Sequence, residues 1–410
     1  MVLTAFRLAP LCSTIFVAGL SVPAAAQQLD RATPLIEAPA EYNATPIQLG
    51  RLAAYVGADA RLEYDSNIYA LSSNKIDDER VTVSPWVNLL YKDDRFDLSG
   101  QARAVVRRYF SNKTENAEAA TTRLDGTYRF SDADSLTANV GWTRLVEQRG
   151  EPESLTAPGT PPRRYDQMLG ELGFSHQGAR IILALKGSAM RNNALAAVDA
   201  ERDYTQYVGS GRVGYRVSGI VDIFGEVFIS ARDFRLPVDS SGVDRDSKTY
   251  GARGGIAFEP GGLIRGEAAI GVFRFKPDDA SQASRTGLSI SAGLIYTPTP
   301  RLAITLDGFR GDVATVQQGA QSRTDTRFQL GFQNEIYHNL RWQGALIYRR
   351  TDFVGSAQHE RLIAGQLELE YLFNRRLGVA VTGRLANRAS TRPLGDFDRS
   401  IVGVELRLQY

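Results

Sequence analysis

From about Leu52 to its end the chain places apolar residues at every second position, in segments of roughly ten residues, which is the period of a strand with one apolar face. In one segment Leu98, Gly100, Ala102, Ala104 and Val106 alternate with Ser99, Gln101, Arg103, Val105 and Arg107. In another, Val221, Ile223, Gly225, Val227 and Ile229 alternate with Asp222, Phe224, Glu226, Phe228 and Ser230. The habit continues through Leu288, Ile290, Ala292, Leu294 and Tyr296, and through Leu377, Val379, Val381, Gly383 and Leu385. The last residues belong to such a segment too: Val402, Val404, Leu406, Leu408 and Tyr410 share one parity, with Gly403, Glu405, Arg407 and Gln409 on the other.

The links between segments also alternate. Tight turns are predicted at 92–95, 131–135, 176–179, 218–219, 259–262, 298–300, 338–339 and 374–376, and longer polar loops at 111–118, 147–164, 191–202, 235–247 and 311–324. A membrane barrel has this habit, with tight periplasmic turns and long external loops. A soluble sandwich or propeller would cover its apolar face with a second sheet and carry loops of similar length at both ends. Here the second parity carries Arg, Glu, Asp, Gln or Ser on almost every segment, and no helical pattern exists to cover anything.

Aromatic residues gather at segment ends: Tyr91, Phe96, Phe130, Phe258, Tyr296, Trp342, Tyr371 and Phe373 beside the tight turns, and Tyr69, Phe110, Tyr165, Tyr204, Tyr250, Tyr348 and Phe353 beside the long loops. Two girdles of this kind suit the two interfaces of a bilayer. The expected fold is therefore all-β: a transmembrane antiparallel β-barrel of about 18 strands, with 16 left open by ambiguous edges and both termini periplasmic.

The start of the chain reads differently. Residues 1–26 have a basic opening with Arg7, an apolar middle and Ala24, Ala25 and Ala26 before Gln27, the form of a secretory signal peptide. Residues 27–51 hold Pro34, Pro39 and Pro46 without periodicity and read as a periplasmic Pro-containing leader, so the barrel is expected over 52–410. The one cysteine, Cys12, falls in the signal, so no disulfide, thiolate metal site or cysteine nucleophile is expected after cleavage. With 48 basic against 46 acidic residues the chain lacks the basic excess of a nucleic-acid binder.

Two stretches, "EYDSNIY" from Glu63 to Tyr69 and "YTPTPRLAITL" from Tyr296 to Leu306, resemble the family named "putative β-barrel porin", the second of that name, in Gram-negative bacteria. The aromatic end of the last strand, with Val404, Leu406, Leu408 and Tyr410, also resembles the signal read by the barrel-assembly machinery. The resemblance implies an outer-membrane location, contact with lipid and lipopolysaccharide, and similarity to the barrels of exopolysaccharide export systems. In such a system a periplasmic polysaccharide-export protein would be a partner. Between export and diffusion of hydrophilic solutes the residues do not choose, and a structural or adhesive barrel with a plugged lumen stands as the alternative.

The inward parity carries candidate lumen-lining residues: Arg103, Arg107, Arg129, Arg212, Arg216, Arg349, Arg384 and Arg407, with Glu226, Glu267 and Glu368 and the rings of Phe224 and Phe228. Charged rings set pore selectivity, and the basic excess predicts a mild preference for anionic solutes or acidic sugars. The competing reading is that these charges pair across strands and only keep the lumen hydrated. Phe224, Phe228, Phe273, Phe309 and Tyr337 could form a surface on which sugars stack, or simply pack the narrow end. On the lipid parity, Arg108, Arg144, Arg274, Arg310 and Arg350 lie at the loop ends of their strands and are candidate lipopolysaccharide contacts, through bidentate bonds to phosphate. No cofactor is expected and no metal-ligand spacing occurs. With three histidines, His176, His338 and His359, of which only His359 lies beside an external loop near Asp352 and Glu360, no enzyme is expected.

Overall fold

The computed structural model describes residues 35–36, 41–154, 157–258 and 261–410; the expected signal segment 1–26 lies outside them. A short strand, β1 (Ile47–Leu49), precedes eighteen long ones. The first nine are β2 (Leu52–Asp65), β3 (Asp78–Lys92), β4 (Phe96–Tyr109), β5 (Ala117–Arg129), β6 (Asp134–Val146), β7 (Arg164–Gln177), β8 (Ile181–Ala194), β9 (Tyr204–Ser218) and β10 (Val221–Phe234). The others are β11 (Ser247–Phe258), β12 (Ile264–Pro277), β13 (Arg285–Thr299), β14 (Leu302–Val313), β15 (Ser322–Tyr337), β16 (Leu340–Val354), β17 (His359–Leu372), β18 (Leu377–Ser390) and β19 (Phe397–Gln409).

Every long strand pairs antiparallel with the next, and β19 returns to pair with β2, closing an 18-strand barrel. Closure leaves no sheet edge to solvate, the condition for a sheet to cross hydrocarbon. Among the described residues no helix is long and apolar enough to cross a membrane. The closing ladder is short: nine positions, Gly57 to Asp65 against Gln409 to Ile401, where β2 offers β3 fourteen. β1 occupies the edge of β2 that β19 leaves open, pairing Leu49, Gln48 and Ile47 with Leu52, Ala53 and Ala54. That covers backbone of β2 that would otherwise face outward unpaired.

The alternation sorts the side chains as the strand period requires. Leu62, Val140, Leu172, Leu185, Val213, Val227, Ile270, Leu330, Leu346, Leu367, Val381, Leu385, Val404 and Leu406 cover the outside, where no other protein element shields them. The inside is polar: Asp59, Glu63, Arg80, Glu226, Arg253, Arg349, Glu370, Glu405 and Arg407 are all buried. A fold with oily residues outside and paired charges inside is stable only if hydrocarbon bathes the outer band.

The girdles are only partly as expected. Beside the tight turns Phe96, Phe130, Tyr296, Trp342, Tyr371 and Phe373 do face outward. At the loop end Phe110 and Tyr250 do too, but Tyr69 and Phe353 are buried. Tyr69 lies past the end of β2, in the segment 66–77, and packs with Ile68 and Tyr109. Residues beyond a strand are no longer bound by its parity. The "EYDSNIY" stretch thus ends in a knot above the seam: the Asn67 side chain donates to the carbonyls of Leu71 (2.8 Å) and Asp398 (3.0 Å) and accepts from the Leu71 N–H (2.9 Å).

Both described chain ends lie at the tight-turn end of the barrel. The Tyr410 N–H donates to the Val56 carbonyl (2.9 Å) and Arg375, in the 373–376 turn, reaches the Thr45 hydroxyl (3.2 Å).

Candidate functional site

All thirteen candidate lumen residues point inward, and most are already partnered. Arg212 bridges Glu226 and Glu267 from β9, and Arg253 reaches the other oxygen of Glu226 from β11. Arg216 pairs with Asp222 (3.2 Å), Arg103 with Asp59 (2.6 Å) and Arg129 with Asp97. Arg407 sends three nitrogens to three carboxylates, Glu405 (2.5 Å), Glu370 (2.7 Å) and Glu368 (2.9 Å). A guanidinium, with five donors in a planar fork, is the side chain able to do this. Cross-strand pairing therefore accounts for most of the wall charge.

Four arginines fall outside that pattern. Among the described residues, Arg107, Arg265, Arg327 and Arg384 have no carboxylate within ion-pair distance, and the Nε atoms of Arg107, Arg265 and Arg327 are buried without a hydrogen-bond acceptor. The corresponding acids are Asp307 and Asp78, and Asp78 already accepts from the N–H groups of Ser111 (3.1 Å) and Asn112 (2.7 Å). The unpaired charge of the wall is positive.

The inward rings are sandwiched. The Arg212 guanidinium lies 3.9 Å from the centre of Phe224, Arg253 4.7 Å from that of Phe228, Arg327 5.1 Å from that of Phe309 and Arg285 5.7 Å from that of Phe273. Below, Phe224, Phe228 and Phe273 rest on Gly255, Gly251 and Gly287 of the neighbouring strand, where an added Cβ would come within 2.6 Å of each ring. With glycine on one face and a cation on the other, these rings position arginines and do not present a stacking surface to sugars. Tyr337 is not in the lumen: a bulge between Glu335 and Tyr337 turns it out at the tight-turn end, where it is exposed.

Sequence reading missed what the 147–163 loop does. It leaves β6 and rejoins the wall at β7, but between them its carboxylates bind the opposite side of the barrel. Glu153 accepts from the Thr315 hydroxyl and from the Val316 N–H (3.1 Å), and pairs with Arg323 of β15 (3.2 Å). β15 lies nine strands on from β6 in a ring of eighteen, directly across the lumen. Glu151 pairs with Arg349 of β16 (2.5 Å), while Arg388 of β18 donates to the Gly150 carbonyl (3.2 Å) and Arg399 of β19 to that of Arg149 (3.0 Å). Arg149 itself is buried on Glu115 (2.7 Å) and the Tyr69 ring. From the other end, the Leu35 N–H donates to the Gln333 side chain (2.8 Å), which belongs to the inward parity of β15, and Ile36 is buried.

Burial alone would raise the Glu151 carboxyl; Arg349 first, then Arg384 and Arg323, outweigh it and hold the group below its ordinary value. A depressed carboxyl keeps its tether at all pH values above the ordinary carboxylate range, about 4.3, and loses it as the pH falls through the lowered value. We expect tryptic cleavage within 147–163 of the detergent-solubilised barrel, sampled after brief acid exposure, to stay low from pH 8 to pH 5 and to rise below about pH 4. Cleavage independent of pH would break the link to Glu151.

The five outward arginines sit near the loop end, four of them with local partners. Arg144 forms a two-point pair with Asp166 (2.8 Å), Arg350 pairs with Asp352 (3.0 Å) and Arg108 with Glu118 (2.5 Å). Arg310 donates to the Thr326 hydroxyl (2.5 Å), and Arg274 is exposed. As for the histidines, His176 bonds Asp134 (2.8 Å) and His338 bonds Glu335 (2.9 Å), both at the tight-turn end. His359 stands opposite Asp352 in register, but that carboxylate is held by Arg350. Among the described residues no group of three or more His, Cys, Asp or Glu is placed to hold a metal ion.

Solved structures are similar to this chain at low identity. The FrpB iron transporter of Neisseria meningitidis matches at 10% identity over 87% of this chain and 81% of its own, with a TM-score of 0.45. The outer membrane protein OpdK of Pseudomonas aeruginosa matches at 13% identity over 87% and 99%, with a TM-score of 0.44. No curated protein matches the sequence. A family model does, over residues 39–410, and so the chain belongs to the family described as "Putative beta-barrel porin 2".

Proposed function

We propose that this outer-membrane barrel is a channel for hydrophilic solutes with a preference for anions, its tight-turn end and both termini facing the periplasm of a Gram-negative cell. The observation that carries the reading is the set of unpaired lumen cations, Arg107, Arg265, Arg327 and Arg384, in a wall whose other charges are largely neutralised. Uncompensated charge in a low-dielectric tube focuses the field and concentrates counter-ions there. A secreted acidic polysaccharide is a cargo consistent with that field, and export would need a periplasmic partner to feed the tight-turn end.

In planar bilayers under a potassium chloride gradient, the reversal potential should report chloride more permeant than potassium, and replacing Arg327 and Arg384 by Gln should bring the ratio close to one. Cation preference in the wild type would overturn the reading. A second reading, a barrel closed at rest, is favoured by the loop across the lumen and by the burial of Ile36. It predicts no current at neutral pH, and a current once residues 147–163 are deleted.

A further inference from the structure

Around the anchor of the 147–163 loop, five guanidinium groups, those of Arg323, Arg327, Arg349, Arg384 and Arg388, face four carboxylates. Two of the acids are fixed in the wall: Asp325 lies 3.6 Å from Arg323 and Glu360 3.6 Å from Arg388. The other two, Glu151 and Glu153, belong to the loop. Without the loop the cluster would hold three positive charges in excess. Moreover, Arg327 and Arg349 stand directly opposite each other across the β15–β16 ladder, an arrangement of like charges that is unfavourable unless an anion lies between or beside them. Glu151 supplies that anion to Arg349, whereas Arg327 and Arg384 keep donors without a carboxylate in ion-pair range.

We propose that this arginine cluster is a binding site for solutes bearing several carboxylates, and that Glu151 and Glu153 occupy it as a tethered substitute which such a solute displaces, releasing the loop from the lumen. The proposal rests on the channel reading for its purpose, though not for its chemistry. A carboxylate from solution can take the bond from Arg349 that Glu151 uses, and it can also use the donors of Arg327 and Arg384 that Glu151 leaves idle. A ligand with one carboxylate gains no more than Glu151 already supplies, and Glu151 competes at the high effective concentration of a tethered group. Two or more carboxylates on one molecule are what tips the exchange.

The test reads the loop directly. An Ala157→Cys substitution in a Cys12→Ser background gives a single thiol at an exposed loop position, to which a nitroxide is attached in the purified full-length barrel in detergent. Citrate is the probe, with acetate and sodium chloride at matched ionic strength as controls. Citrate should mobilise the label in a saturable way, acetate and chloride should not, and Arg384→Gln should raise the citrate midpoint severalfold. In Glu151→Gln/Glu153→Gln the label should be mobile with no additive. An equal response to chloride would reduce the effect to screening and overturn the proposal, as would a double variant whose label stays immobile. Because mobility needs no current, a barrel that never conducts yet frees its loop in citrate would defeat the channel reading and leave this inference standing.

Discussion

Replacing Asp65 by Ala should cost about 3–5 kcal/mol, the usual penalty for leaving one half of a buried ion pair unanswered. The Asp65 side chain has no solvent exposure and takes Arg399 of β19 on one side and Arg80 of β3 (3.1 Å) on the other. It therefore spans the place where the chain closes on itself, above a ladder of only nine positions. Arg61 to Glu405 is the second tie across the same seam. With Asp65 gone, Arg80 keeps Glu63 (2.9 Å), but Arg399 retains only the Arg149 carbonyl (3.0 Å). The expected result is a lower temperature for the shift from folded to unfolded mobility on a detergent gel. Glu79→Ala, on the outward parity beside it, should change stability by no more than about 0.5 kcal/mol. Equal behaviour of the two variants would show that the seam does not depend on its ion pairs.

Arg407→Ala should produce an effect of similar size that shrinks as the pH falls from 8 to 5. The arginine is the common partner of Glu368, Glu370 and Glu405. Its removal leaves neighbouring carboxylates on the wall, with Arg61 still beside Glu405. At pH 8 the variant should lose about 3–5 kcal/mol, because buried like charges then face each other. At pH 5 it should regain part of that loss, since taking up one proton relieves the repulsion. The wild type, whose carboxylates stay paired with Arg407 at both pH values, should change little. Thermal unfolding at the two pH values in detergent gives the comparison, and a variant that gains no stability at pH 5 relative to the wild type would argue against a coupled cluster.

How much of this was legible beforehand follows from what each feature depends on. Strand parity is local, so the outward set ending in Val404, Leu406 and Leu408 and the inward arginines could be read residue by residue. The tight turns and the count of eighteen followed from the same pattern. Ring partners depend on register, which the pattern alone does not fix. That Phe224 lies over Gly255 and Phe228 over Gly251 becomes readable only once β10 is known to pair Gly225 with Gly254. The crossing loop was the hardest feature. Residues 147–163 hold Pro152, Pro158, Pro161 and Pro162 and no periodicity, and the arginines that receive Glu151 and Glu153 lie more than 150 positions later in the chain. A pair of acids in an otherwise irregular loop was the one trace available, and surface loops often contain such pairs.

The loop anchored at β6 and β7 and gripped by β15 acts as a spoke. A hoop of eighteen hydrogen-bonded staves has a fixed circumference but can flatten into an oval as the surrounding bilayer thickens, thins or stretches. A spoke along one diameter holds that diameter and so sets the cross-section. When it lets go, the hoop regains its softness, and the shape of the tube becomes answerable to membrane tension as well as to what enters it.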